Sequence, residues 1–195
     1  MGFHVVPCHG KRALLRWGAE HKEYLSHPED IAMSFAREYA YKDRITGDLV
    51  RTRPDSIGAI LTPSQAVVLD LDGPEAMEWA RKNWRHLKTP YVVKSPRTEG
   101  GAHLYYQQAS FYRIKQAHGA IAPGVDIKAD GSLVVLPGSL HKTGARYIWQ
   151  SKPNFVSDLP VVPAMVIDWQ KKKDSQVKQW DQDVSNHQGL SLIHI

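Results

Sequence analysis

The chain has a single cysteine, Cys8. One thiol cannot close an internal disulfide, and it cannot build a cysteine-rich zinc site. A reducing, cytoplasmic setting without zinc is therefore the expectation. No stretch reaches the ~18–20 consecutive apolar residues that a membrane-spanning helix needs, so an integral membrane protein is excluded and no membrane partner is expected. The opening residues, MGFHVVPCHGKR, carry no basic region followed by an apolar run, so no secretory signal is visible. Internal repeats are absent, and so is any GxxxxGK[ST] phosphate loop. A strong excess of one charge is lacking too: 25 Lys and Arg against 20 Asp and Glu give a net +5. That surplus permits an anionic partner such as nucleic acid or a nucleotide without demanding one.

What is present is an ordinary globular composition, 42% hydrophobic and 23% charged over 195 residues. Such a chain can bury a real core, and disorder along its whole length is excluded. The residues from 168 to 195 hold four Lys and four Asp and are neutral. The whole surplus thus sits on residues 1–167, together with nearly all the turn residues and apolar runs. We place one domain at 1–167 and a polar tail at 168–195, starting as a helix after Pro163 and then losing order.

Within the domain, Phe3 to Pro7 reads as a strand ended by proline. Ser26 or His27 would cap a helix with Pro28 in its first turn, running to about Tyr39 with Ile31, Phe35 and Tyr39 buried. Residues 42–55 read as a polar loop. Ile57 to Leu61 and Ala66 to Leu71 read as strands, and Pro74 to about Arg85 as a helix. Further strands are expected at Tyr91 to Lys94, Ala102 to Gln107, Leu133 to Leu136 and Arg146 to Trp149. Numerous strands and few helices point to a mixed α/β or α+β domain.

Three segments put polar side chains on strand faces. In VVLDLDG, residues 67–73, strand alternation aims Asp70 and Asp72 to one face and Leu69 and Leu71 to the other. Two carboxylates on one face repel, so either the strand ends there in water or a divalent cation sits between them. For this dipeptide alone, the solvated turn is the ordinary reading. In TEGGAHLYYQ, His103, Tyr105 and Gln107 share one face, just past two glycines that allow a tight turn or close approach to a ligand. A lone strand histidine is more often structural. In PGVDIKADGSLVVLPGSLH, Val125 and Ile127 face one way, Asp126 and Lys128 the other, and Asp130-Gly131 signals a hairpin turn between antiparallel neighbours. The ordinary reading of Asp126 and Lys128 is a weak ion pair on a solvated face, and that of Ser139 and His141 a surface turn. Taken together, the segments would gather three carboxylates, a histidine and several basic groups on the open face of one sheet. Three carboxylates can hold two Mg²⁺ or Mn²⁺ ions about 4 Å apart, the arrangement that bridges a triphosphate and an attacking hydroxyl.

The order VVLDLDG, TEGGAHLYY, APGVDIKADGSLVVLPGSLHKTGARYIW resembles the bifunctional DNA primase/polymerase N-terminal domain, the prim-pol branch of the archaeo-eukaryotic primase superfamily. That family's Asp-x-Asp, histidine and later aspartate fall here on Asp70 and Asp72, His103 and Asp126. The flanking residues GFHVVP with Lys11, Ser56-Ile57-Gly58 and PGSLH followed by Gly144-x-x-Tyr147 are similar as well, so the likeness spans about residues 2–165. It implies an α+β primase-polymerase core with a mixed β-sheet and flanking helices. It also implies an enzyme, a DNA-dependent nucleotidyltransferase that makes short primers on a single-stranded DNA template and could extend them, using NTPs or dNTPs. Catalytic residues would be Asp70, Asp72, His103 and Asp126, with Asp70, Asp72 and Asp126 holding Mg²⁺ or Mn²⁺ and His103 touching nucleotide phosphates. Arg97, Lys128, His141 and Lys11 are candidates for nucleotide or template phosphates. A helicase partner, common in the family, would be separate or downstream. A mobile element is the setting where such stand-alone domains often occur.

Two other classes fit parts of the pattern. A replication-initiator or nucleic-acid-binding module could keep the fold without turnover. A haloacid-dehalogenase-like phosphohydrolase would use Asp70 as its nucleophile, but Pro74 and the lack of a later Lys-then-acidic-pair pattern count against it.

Overall fold

The computed structural model describes residues 2–17, 23–119 and 121–190, with side chains through residue 182. Its architecture is α+β, as expected: two sheets, a separate hairpin and flanking helices. The first, five-stranded sheet runs β11 (Ile148–Trp149), β7 (Val92–Lys94), β8 (Gly101–Gln107), β6 (Ala66–Asp72), β9 (Val125–Lys128). The second, four-stranded sheet runs β10 (Leu133–Val135), β5 (Ser56–Ile60), β1 (His4–His9), β2 (Arg12–Ala13). Neighbouring strands pair antiparallel, and isolated parallel bridges at Gln107–Val161 and Lys115–Asp130 add to them.

Strand alternation sorts the side chains of β6. Val67, Leu69 and Leu71 enter one core with Leu104, Tyr106, Val125 and Ile127. This side is covered by α3 (Gly73–Lys82) through Ala76 and Ala80, by α4 (Trp84–Leu87) through Leu87, and by α5 (Ala164–Leu190) through Val166 and Ile167. Each large aliphatic side chain buried here stabilises the fold by roughly 1.5–3 kcal/mol. The opposite face of β6 starts apolar at Ala66 and Val68, which join Val93 and Tyr105 in a core shared with Phe3, Val5, Ala59 and Val134 of the second sheet region. It then turns acidic at Asp70 and Asp72. The space between the sheets is therefore packed at one end of β6 and polar at the other.

Several local expectations need correction. Pro7 lies inside β1, opposite Ile57. The Ile57 N–H donates to Ser139 Oγ and its carbonyl accepts from Leu136, so this is a pair without mutual hydrogen bonds and the missing proline N–H disrupts no rung. The first helix, α1 (Pro28–Ala36), ends three residues early, and Tyr39 opens a strand. Residues expected to be loop form a hairpin, β3 (Tyr39–Lys42) with β4 (Leu49–Thr52). Its strands are short and largely exposed, so they carry little of the hydrophobic alternation by which strands are read. Asp130-Gly131 does not join antiparallel neighbours: β9 pairs with β6 and β10 with β5, so the turn is a corner between sheets. The C-terminal helix begins at Ala164 and continues to Leu190, well beyond the short start expected for the tail. Among the described residues no helix is long and apolar enough to cross a membrane.

Cys8 is fully buried in the outer core of the second sheet with Val6 and Ile60. Burial pushes its thiol up to about 12. An acid whose folded value is raised adds stability below its unfolded value and loses it as pH rises from ~8.5 towards the folded value. Iodoacetamide at about pH 8.5 should therefore leave the native protein unlabelled and modify it rapidly once urea unfolds it. Rapid native labelling would contradict the buried placement.

Candidate active site

Register builds the site. Asp70 of β6 stands directly opposite His103 of β8 on one side and Asp126 of β9 on the other. Three strands thus set histidine, aspartate and aspartate in one row on the face away from the helices. Asp72 lies two residues further along β6, opposite Gly101. A Cβ at Gly101 would come within 3.0 Å of the Leu71 carbonyl and 3.2 Å of Ser95 Cβ, so glycine here lets the β7–β8 loop close over the strand end. That loop carries Arg97, whose guanidinium meets Asp72 at 3.0 Å. Asp72 occupies the residue before α3 yet makes no side-chain cap bond, which leaves its carboxylate to the site.

The three acids differ in their surroundings. Asp70 is mostly buried, with His103 Nε2 3.3 Å from Oδ1, but that oxygen accepts no hydrogen bond. Burial raises its pKa, while His103, Lys128 and Lys11 outweigh this and leave it below the usual value. Asp72 goes the other way. Burial and the nearby Asp70 charge raise it, against Arg97, Lys11 and His103. Asp126 is the best satisfied. Its oxygens take Lys128 Nζ at 2.7 Å, His118 Nδ1 at 3.0 Å and the Gly119 N–H at 2.8 Å. Although burial opposes ionisation, these partners hold its carboxyl at about 2.

Arg97, His141 and Lys11 line an adjoining cavity of about 650 Å³ with Lys142, Thr143 and Tyr147, and Asp55 and Glu99 on its wall offset part of this basic charge. The eight residues singled out from sequence therefore fall into two adjacent groups. Asp70, Asp72, His103, Asp126 and Lys128 lie on the acidic face. Arg97, His141 and Lys11 lie in the basic cavity, and the Arg97–Asp72 ion pair joins the two groups. Such a neighbourhood can bind an anion beside a carboxylate cluster that favours cations.

Sequence reading missed His118 and Gly119, which fold back onto Asp126 from a segment with no strand pattern. It noted Tyr147 only as part of a likeness. Here the buried ring lies 5.5 Å from the His103 ring and 5.6 Å from the His141 ring, linking the acidic row to the cavity.

The donor chemistry of the acids suits a hard divalent cation. Asp70 and Asp72 share a face, and Asp70 Oδ1 is a buried carboxylate oxygen whose one close neighbour, His103 Nε2 at 3.3 Å, is too poorly placed for a good hydrogen bond. Among the described residues, no three His, Cys, Asp or Glu side chains are gathered as a ready-made metal cage. Asp126 is turned towards Lys128 and His118 instead.

A family model described as bifunctional DNA primase/polymerase, N-terminal, matches residues 1–169. A search of curated proteins returned no match.

The end of β6 is bolted down by Gly124, whose carbonyl accepts the Asp72 N–H at 2.8 Å. Gly124 has φ +70°, and a Cβ there would fall 2.3 Å from the Asp72 carbonyl oxygen. Gly124→Ala should therefore destabilise the fold by at least about 1–2 kcal/mol from backbone handedness alone, and more from the clash. Urea unfolding measures this, and an unchanged midpoint would contradict the packing described.

Proposed function

Because the chain belongs to the bifunctional DNA primase/polymerase N-terminal family, a primase/polymerase-type domain, we propose that its acidic face carries out two-metal nucleotidyl transfer on a single-stranded DNA template. The observation that carries this reading is the in-register row His103–Asp70–Asp126, with Asp72 beside it, next to the basic cavity.

In this reading Asp70, Asp72 and Asp126 would hold Mg²⁺ or Mn²⁺. Bound there, the ions would supply activation of a primer 3′-hydroxyl and neutralisation of triphosphate charge. Arg97, Lys11 and His141 would bind and orient the triphosphate in the cavity. His103 would contact phosphate from within the row while keeping Asp70 ionised. Lys128 and His118 would release Asp126 towards a cation as they turn to the anionic substrate. Template and NTPs or dNTPs are the proposed partners, with a helicase supplied separately or downstream. The family match also removes the ground for reading VVLDLDG as a phosphohydrolase nucleophile strand.

The test is primer synthesis on single-stranded DNA with labelled nucleotides and Mg²⁺ or Mn²⁺. Wild-type protein should give products, and Asp70→Asn and Asp126→Asn should reduce them by at least about 100-fold, in line with loss of transition-state charge stabilisation. Circular dichroism confirms that both variants are folded. Equal synthesis by the variants would refute the site assignment. Wild-type protein that binds template without synthesis would favour a non-catalytic replication-initiator module of the same fold.

A further inference from the structure

The β3–β4 hairpin lies outside the acidic row and the cavity, and nothing in the site explains it. Its root is fastened to the cavity wall. His9 Nδ1 meets Thr52 Oγ1 at 3.2 Å and Asp55 Oδ2 at 3.2 Å, while Asp55 Oδ1 accepts the Gly10 N–H at 2.7 Å. Gly10 and Asp55 themselves line the basic cavity with Lys11. Arg12 stacks its guanidinium 4.1 Å from the Tyr41 ring centre and donates to the Lys42 carbonyl at 2.9 Å. The hairpin is therefore joined at its root to the cavity wall.

Its charge is a modest basic excess rather than a single sign. Residues 37–53 contain five basic side chains, Arg37, Lys42, Arg44, Arg51 and Arg53, against three acids. Glu38 pairs with Arg51, and Asp43 is held in the turn by the N–H groups of Ile45 and Thr46, so its charge and that of exposed Asp48 sit at the turn while the basic groups extend along both strands. Lys42, Arg44 and Arg53 are exposed, as is Lys11 at the cavity edge. The tip also presents apolar surface to water: Ile45 is 96% exposed and Leu49, directly opposite Lys42, is 66% exposed. Basic groups interleaved with exposed apolar side chains match a ligand that offers phosphates and flat, unpaired bases together. Compact anions offer only the first, and a duplex offers the second only where its base steps are pried apart, whereas a single strand offers both without that cost.

We propose that the β3–β4 hairpin is a docking arm for single-stranded nucleic acid. It would grip phosphates through Lys42, Arg44 and Arg53 and contact bases at Ile45 and Leu49, leading the strand towards the cavity. This rests on the proposed function for what the strand is used for, but binding by the arm is measurable without synthesis.

The probe is a fluorescently labelled thymidine oligonucleotide, read by anisotropy across a salt series on the full chain. Lys42→Ala/Arg44→Ala/Arg53→Ala should weaken binding at least about tenfold and reduce the salt slope by about 2, the value for three lost contacts to a single strand. Ile45→Ser/Leu49→Ser should weaken binding while leaving the slope unchanged. The control Lys171→Ala/Lys172→Ala/Lys173→Ala removes equal charge from α5 and should bind as wild type. Unchanged affinity in the hairpin triple variant, or an equal loss in the α5 control, would overturn the docking arm. Hairpin variants that bind normally while wild type makes primers would overturn the arm alone. Binding lost in the hairpin variants, with no primers from wild type, would support the arm and overturn the proposed function.

Discussion

The register of β6 against β8 and β9 is the constraint on which the rest of the site depends. It sets Asp70 between His103 and Asp126, and that arrangement is electrostatically unfavourable in part, since like charges directly opposite on neighbouring strands repel. What holds it is the other face of the same strand. A slip of one residue would turn Leu69 and Leu71 out of the helix-covered core and bring their neighbours in, losing several buried side chains at roughly 1.5–3 kcal/mol each. The hydrophobic side thus stabilises a register that the acidic side alone would disfavour. His103, Lys128, Lys11 and Arg97 lower the remaining repulsion from around the row.

The second constraint is the divergence of the two sheets. Val68, Val93 and Tyr105 pack against Phe3, Val5 and Val134, which closes one end of the space between them. Two residues further along β6, the same face carries Asp70 and then Asp72. A carboxylate at the position of Val68 would be buried without a partner. At Asp70 it has a histidine beside it, and at Asp72 it is nearly two-fifths exposed and paired with Arg97. The gradient along one strand face from apolar to acidic therefore follows a gradient from closed to open space.

The parts of this design that were legible in the sequence are those in which one strand has a sharp contrast between its faces. VVLDLDG and VDIK announce both their conformation and the side on which the acids lie, because a packed core demands apolar residues at alternate positions. The β3–β4 hairpin was not legible, because it buries too little to need such alternation. Pro7 misled because a proline is harmful only where its N–H would have been a rung, and which rungs exist is decided by the partner strand. Asp130-Gly131 misled for a related reason. A turn signal tells where the chain bends, whereas the sheet that each arm joins depends on the competition between β5 and β6 for partners. His118 was beyond reach, since its contact with Asp126 is made by a loop whose path no local pattern encodes.

The unequal satisfaction of the three acids bears on how a charged ligand would enter. Asp126 already has a lysine, a histidine and a backbone N–H, whereas the buried Oδ1 of Asp70 has only the longer His103 contact at 3.3 Å. A buried carboxylate held by one long histidine contact is less well compensated than one with three partners, so a cation reaching this face would gain most at Asp70. At Asp126 it would have to displace the Lys128 ammonium together with the His118 and Gly119 contacts. In the proposed reading those partners would need another anionic group to meet before Asp126 could turn to a cation; they do not line the basic cavity, whereas Arg97 does. In that reading cation and anion binding would reinforce each other, each removing a competitor that the other must displace. The Arg97–Asp72 pair poses the same exchange at the boundary between the two groups, with a guanidinium free to turn from carboxylate to phosphate. The ion pairs seen here thus keep the acidic and basic groups compensated against each other.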